Sequence, residues 1–167
     1  MRIAATITKE DYWNFNKFTM FHIPKARTTM LLSLHGFPVI IFVVLSFIGI
    51  PLLYRIGASI VLGAVVDGIL IYFIKHRIMS LVEGSKGLLG EHTFEINETG
   101  FKESTEVNQS EYSWDGVSSI EQDKHNIYLF IGKVQVHIIP KKSFSTKEEG
   151  KQFFQKMKDY RRAASTH

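Results

Sequence analysis

Between Met30 and Ile74 the chain carries almost no charge, and this run sets the terms for everything else it can fold into. Two apolar stretches, Met30–Leu53 and Ile56–Ile74, are separated by Tyr54-Arg55. At about 1.5 Å of rise per residue, either stretch as a helix crosses a hydrocarbon layer of about 30 Å. Two such runs joined by a tight turn predict a transmembrane hairpin within residues 30–75, its spans at about 30–53 and 56–74. Residues 1–29 precede it, 76–89 read as a linker, and 90–167 read as one modest soluble domain.

The remainder is polar, with its charge sorted along the chain. From Gly90 to Phe130 nine acids oppose two lysines, a balance of −7; from Ile131 to His167 nine bases oppose three acids, a balance of +6. An acidic middle beside a basic end predicts mutual attraction within one domain, or a basic edge offered to anionic lipid. There are no cysteines, which excludes thiolate metal sites, disulfides and cysteine nucleophiles. No apolar segment typical of a cleavable signal peptide stands before residue 30, so the first span is expected to act as an uncleaved anchor.

Ahead of the hairpin, Ile3, Ala5 and Ile7 alternate as in a short strand. Thr8, three residues before Asp11, then opens a helix bearing Tyr12, Trp13, Phe15 and Phe18. Aromatic rings just before a span, with Lys17, Lys25 and Arg27, suit the headgroup zone, and these four are the expected interfacial anchors. Packing on the soluble domain is the compatible alternative. Lys17, Lys25 and Arg27 before the first span and Lys75, Arg77 and Lys86 after the second outnumber Arg55 in the turn. The positive-inside rule then puts both termini in the cytoplasm.

Inside the first span, Pro38 removes a helical hydrogen bond and predicts a kink. Ala64 and Gly68 form a small-xxx-small pair, with Gly57 and Gly63 adding small surface for close packing on the first span or on a second copy. His35 and Asp67 fall at nearly the same depth, roughly 7 Å and 10 Å at helical rise. An ionisable group in a span is costly and faces protein or water, so a His35–Asp67 polar pair is expected, as a structural clasp or an ion-linked site.

Beyond the linker the pattern changes to short strands: His92–Ile96, Phe101–Val107, Glu111–Ser113, Val117–Gln122, Ile127–Ile131 and Val134–Ile139, with turns at Asn97–Gly100, Asp123–Asn126 and Gly132-Lys133. Trp114, beside Tyr112, reads as core. Thr146 and Glu149 then form a capping box, opening a helix with Phe153, Met157 and Tyr160 on one face and Phe154 beside them. A helix of that kind lies across the open end of a curved meander.

This plan is that of pleckstrin-homology-like (PH-like) domains, and four stretches carry a closer likeness. Thr8-Lys9-Glu10-Asp11-Tyr12-Trp13-Asn14-Phe15-Asn16, the two-span hairpin, Gly100-Phe101 with Trp114-Asp115-Gly116-Val117-Ser118-Ser119-Ile120, and Ile127–Phe130 with Ile138-Ile139-Pro140-Lys141-Lys142-Ser143-Phe144 follow one another in a single order. In this the chain resembles the YcxB-like family of bacterial membrane proteins. The resemblance implies a bacterial inner-membrane protein, multi-pass, with a PH-like cytoplasmic domain; it brings no catalytic residues to carry over.

No nucleotide-binding or hydrolase motif occurs in the chain. His92, His125 and His137 lie on separate strands and turns without metal-ligand spacing, so neither metal nor cofactor is expected. Lys141, Lys142, Lys151, Lys158, Arg161 and Arg162 are candidate contacts for anionic headgroups or a partner. The expected function is a membrane-anchored, non-catalytic PH-like binding module, with lipid and a protein or extended peptide as partners and no nucleic acid. The alternative is a homo-oligomeric transport or ion-linked element using His35 and Asp67.

Overall fold

The computed structural model of the chain describes residues 1–132 and 135–165. Lys133 of the expected Gly132-Lys133 turn, and Val134 of the following strand, lie outside the described residues. In chain order the elements are β1 (Arg2–Ile7), α1 (Lys9–His22), α2 (Pro24–Ser46), α3 (Leu52–Glu83), β2 (Gly90–Ile96), β3 (Gly100–Thr105), β4 (Gln109–Ser113), β5 (Val117–Gln122), β6 (Asn126–Ile131), β7 (Gln135–Pro140) and α4 (Lys147–Ala164). Single 3-10 turns at Trp114–Gly116 and Lys141–Ser143 precede β5 and follow β7. Two compact units result, one made of Met1–Phe15 with the chain from Met79 onward, the other of Asn16–Ile78.

The first unit holds two antiparallel sheets, ordered β1-β2-β3-β4 and β5-β6-β7. Its departure from the sequence reading is β1. That strand does not stand apart with residues 1–29; it pairs with β2, Ile3 opposite Phe94 and Ala5 opposite His92. The reason is burial. Ile3, Ala5 and Ile7 alternate onto one face and join a core containing Phe94, Ile96 and Phe101. The sheet-bearing unit therefore begins before the apolar helices and resumes after them.

Helix α4 closes the core as its sequence demands. Thr146 Oγ1 accepts from the Glu149 amide at 3.1 Å, satisfying one of the free donors at the helix start, and the Glu149 carboxylate accepts from the Ser145 amide just before the cap at 2.8 Å. Phe153 and Met157 are fully buried, each such side chain contributing about 1.5–3 kcal/mol of apolar burial. Tyr160 packs 5.9 Å, ring to ring, from the equally buried Trp114. The indole N–H of Trp114 donates to the Asn97 carbonyl at 2.8 Å, pinning the turn between β2 and β3.

In the second unit the reversal between α2 and α3 falls at residues 47–51, not at Tyr54-Arg55. Gly49, at φ 70°, adopts a backbone conformation that other residues resist, and Pro51 stands just before α3. Arg55 instead lies within α3, donating to Ser46 Oγ at 2.8 Å with its guanidinium 5.1 Å from the Phe42 ring centre. Helix α3 continues to Glu83, so the expected linker 76–89 shortens to 84–89. Helix α2 runs through Pro38 without ending.

The contact between these helices uses Ser59, Gly63 and Asp67, spaced i, i+4, i+8 and buried on α3. A Cβ at Gly63 would lie 2.5 Å from Pro38 Cγ, so only glycine allows this approach. The Ala64/Gly68 pair expected at a helix contact is exposed, with nothing within 4 Å of a Cβ at Gly68. Both helices are long and apolar enough to cross a membrane. Their outer faces expose Leu32 at 68%, Val39 at 60% and Phe73 at 63%, an apolar surface of the kind that marks contact with a membrane or a partner.

Candidate functional site

Two polar features distinguish the domain. The first is buried between the sheets. His92 of β2, Glu103 of β3 and His137 of β7 meet there, with Glu103 Oε1 2.8 Å from His92 Nδ1 and Oε2 2.7 Å from His137 Nδ1. One carboxylate thus spans both sheets. Burial by itself would raise the Glu103 pKa, but hydrogen bonds from His137 and His92, with their positive charge, outweigh it and hold the group at about 2. The Nδ1 protons face the carboxylate; His137 Nε2 is 3.3 Å from Gln135 Nε2, and His92 Nε2 is buried without a partner. Tyr12 lines the same small cavity of about 230 Å³, its hydroxyl pKa pushed up to about 12 by burial and by the Glu103 charge.

The second feature is an open hollow of about 700 Å³ formed by the start of α1, the β5–β6 turn, the 3-10 turn after β7 and the start of α4. Five lysines line it, Lys124, Lys141, Lys142, Lys147 and Lys151, against the carboxylates of Glu10 and Asp11. Asp11 is fully engaged: its Oδ2 accepts from the Thr8 amide at 2.9 Å, the Thr8 hydroxyl at 2.6 Å and Lys142 Nζ at 2.9 Å. Lys141 Nζ donates to the Asp123 carbonyl at 2.6 Å. Partial burial lowers the Lys141 pKa, opposed by the Asp123 carboxylate.

The residues singled out in the sequence are divided by the fold. Lys141, Lys142 and Lys151 share the hollow. Arg161 is diverted, its Nε donating to the Val117 carbonyl at 2.9 Å and its Nη2 to the Ser118 carbonyl. Lys158 lies over the Phe154 ring, and Arg162 is exposed farther along α4. Of the four aromatic residues expected among headgroups, Trp13 and Phe18 are buried in protein. Phe15 packs against Tyr128 and Phe130, with ring centres 5.4 and 6.1 Å away, and Tyr12 packs on the core.

His35 and Asp67 are not bonded to each other. His35 Nδ1 turns back to the Leu31 carbonyl of its own helix at 2.8 Å, and the ring is exposed. Asp67 is buried in the helix contact, its Oδ2 without a hydrogen-bond partner. The expected pair is thus replaced by an exposed His35 held on its own helix and a buried Asp67 without a side-chain partner at Oδ2.

Glu103 escaped the sequence reading, although a signal was present. Alternation from Phe101 puts Glu103 on the core face, and alternation from Phe94 does the same for His92. Lys124 and Lys147 were also passed over, because the hollow joins segments far apart in the chain.

Among the described residues, seven strands in two antiparallel sheets, closed by a C-terminal helix and interrupted after β1 by two apolar helices, define a PH-like architecture carrying a helical hairpin. A family model described as YcxB-like protein matches residues 96–157, from the last residue of β2 to Met157 in α4. The matched part excludes β1, α1 and the hairpin. Comparison with curated proteins and with solved structures gave no match. Among the described residues no group of three or more histidine, aspartate or glutamate side chains is placed to hold a metal ion.

Proposed function

We propose that this protein is a non-catalytic binding module anchored in the inner membrane of a bacterium, with α2 and α3 as its two spans and the PH-like domain at the cytoplasmic face. One observation carries the reading: β1 precedes the hairpin, β2 follows it, and the two are neighbours in one sheet. Both ends of the hairpin then lie on one side of the bilayer, so the chain crosses twice. The basic residues near those ends, Lys17, Lys25, Arg27, Lys75, Arg77 and Lys86, select the cytoplasm over the turn with its single Arg55. A module tethered in this way meets membrane-bound protein or peptide partners at raised effective concentration, without needing tight intrinsic affinity.

Protease protection in right-side-out and inverted vesicles tests the topology. Cleavage after residue 84 only in inverted vesicles is the expected result; cleavage from the outer face overturns it. Crosslinking in native membranes tests the role, a stoichiometric protein partner being expected. A homo-oligomer alone would favour the transport alternative. The Leu31 bond of His35 supports that alternative less than a His35–Asp67 contact would.

A further inference from the structure

The basic hollow of the domain offers more positive charge than its own contacts consume. Lys142 neutralises Asp11, and Lys141 is tethered to the Asp123 carbonyl with the Asp123 carboxylate nearby, so the surplus charge lies with the other three lysines. Lys124 and Lys147 make no ion pair or hydrogen bond among the described residues, and Lys151 reaches only the exposed Glu148, at 3.2 Å. Glu10 is then the one further carboxylate lining the wall. Lys147 is also the first residue of α4, where the helix dipole favours acids and disfavours a cation. Glu148 and Glu149 of the same turn already suit the dipole, so the lysine is not placed there for the helix.

The lining chooses among anions. It contains no arginine, so the planar fork that selects carboxylates is missing. Lysines act as separate point charges and suit a group with several charged oxygens spread in three dimensions. The hydroxyls of Ser145 and Thr146 border the same space. At about 700 Å³ the hollow has the size of a small-molecule site and exceeds one phosphate, leaving room for the group it is attached to.

We propose that this hollow binds a phosphate-bearing anion, seated against Lys124, Lys147 and Lys151 while Lys141 and Lys142 shape the floor. The proposal rests on the reading of the domain as a binding module, and it does not depend on the hairpin crossing a bilayer. Phosphate chemistry has two sources here, a lipid headgroup and a soluble phosphate compound.

The natural chain has no cysteine, so Gln122→Cys at the rim takes a single environment-sensitive dye on the full-length protein. Pyrophosphate is titrated in uncharged detergent micelles. Phosphatidylglycerol content is varied in phosphatidylcholine nanodiscs. A saturable response to pyrophosphate assigns a soluble ligand; a response only to phosphatidylglycerol assigns a headgroup. Either must weaken roughly tenfold in Lys124→Glu/Lys147→Glu, rise in Kd with salt, and survive Lys158→Glu, a charge outside the hollow. Both altered lysines are exposed, and unchanged tryptophan emission verifies the fold. No saturable response in either arm, or equal loss in Lys158→Glu, overturns the proposal. Failure of the micelle and nanodisc titrations would leave the protease-protection result standing, so the two readings fail separately.

Discussion

Ile3 stands opposite Phe94 in the ladder joining β1 to β2, although both apolar helices lie between them in the chain. The strand before the hairpin is therefore part of the domain's core. Ile3→Ala should destabilise the domain by about 2–3 kcal/mol, the lower part of the range for truncating a buried isoleucine, because β1 is an edge strand. Arg2→Ala, at an exposed position of the same strand, should change stability by less than about 0.5 kcal/mol. Urea titration of the full chain in micelles, followed by tryptophan fluorescence, separates the two. Equal, small effects would mean that β1 is not integral to the fold.

The approach of α2 and α3 at Pro38 and Gly63 makes a second prediction. Gly63→Leu must push the helices apart, at a cost of about 1–3 kcal/mol for overpacking. Gly68→Leu meets open space and should leave the pair intact. Double-cysteine crosslinking between the helices reads the difference. If Gly68→Leu proved the more disruptive, the Ala64/Gly68 face would be the true contact.

Glu103 makes stability depend on acid. Its folded pKa of about 2 lies below the ordinary 4.5, so the carboxylate contributes stability that is fully present above pH 4.5 and is lost as pH falls towards 2. A depression of this size corresponds to an effect on the order of 3 kcal/mol. Glu103→Gln should lower the unfolding midpoint at pH 7 and flatten the acid limb between pH 4.5 and 2. Thermal unfolding of both proteins across that interval measures it; an unchanged acid limb in the variant would assign the pH dependence elsewhere.

These cases mark what local pattern could reveal. Alternation and capping made most of β2 to β7 and α4 legible, because a strand face or a helix start is written in neighbouring residues. The hairpin turn was misplaced because hydropathy registers charge at Tyr54-Arg55, whereas the chain reverses where Gly49 permits positive φ. Membership of β1 in the sheet was hidden because its partner strand follows the whole hairpin. The same holds for the sites. Glu103 could be assigned to the core face from Phe101, but not the arrival of His137 from the other sheet. Lys124 and Lys147 share one hollow only because the β5–β6 turn and the start of α4 meet in the fold.

Asp67 gives the last prediction. It is buried on the α3 seam, and its Oδ2 has no hydrogen-bond partner. A carboxylate inside a span costs about 3 kcal/mol on insertion scales, and no contact of its own offsets that here. Asp67→Asn should therefore leave hairpin assembly unchanged or strengthen it. His35→Ala should also be neutral, because the imidazole bonds only the Leu31 carbonyl. Crosslinking between the helices and thermal denaturation in micelles test both. Weaker assembly in Asp67→Asn alone would mean that the carboxylate is held by a group outside a single chain, and a second copy would become the first candidate. Joint weakening in both variants, with a non-additive double variant, would restore the direct His35–Asp67 clasp.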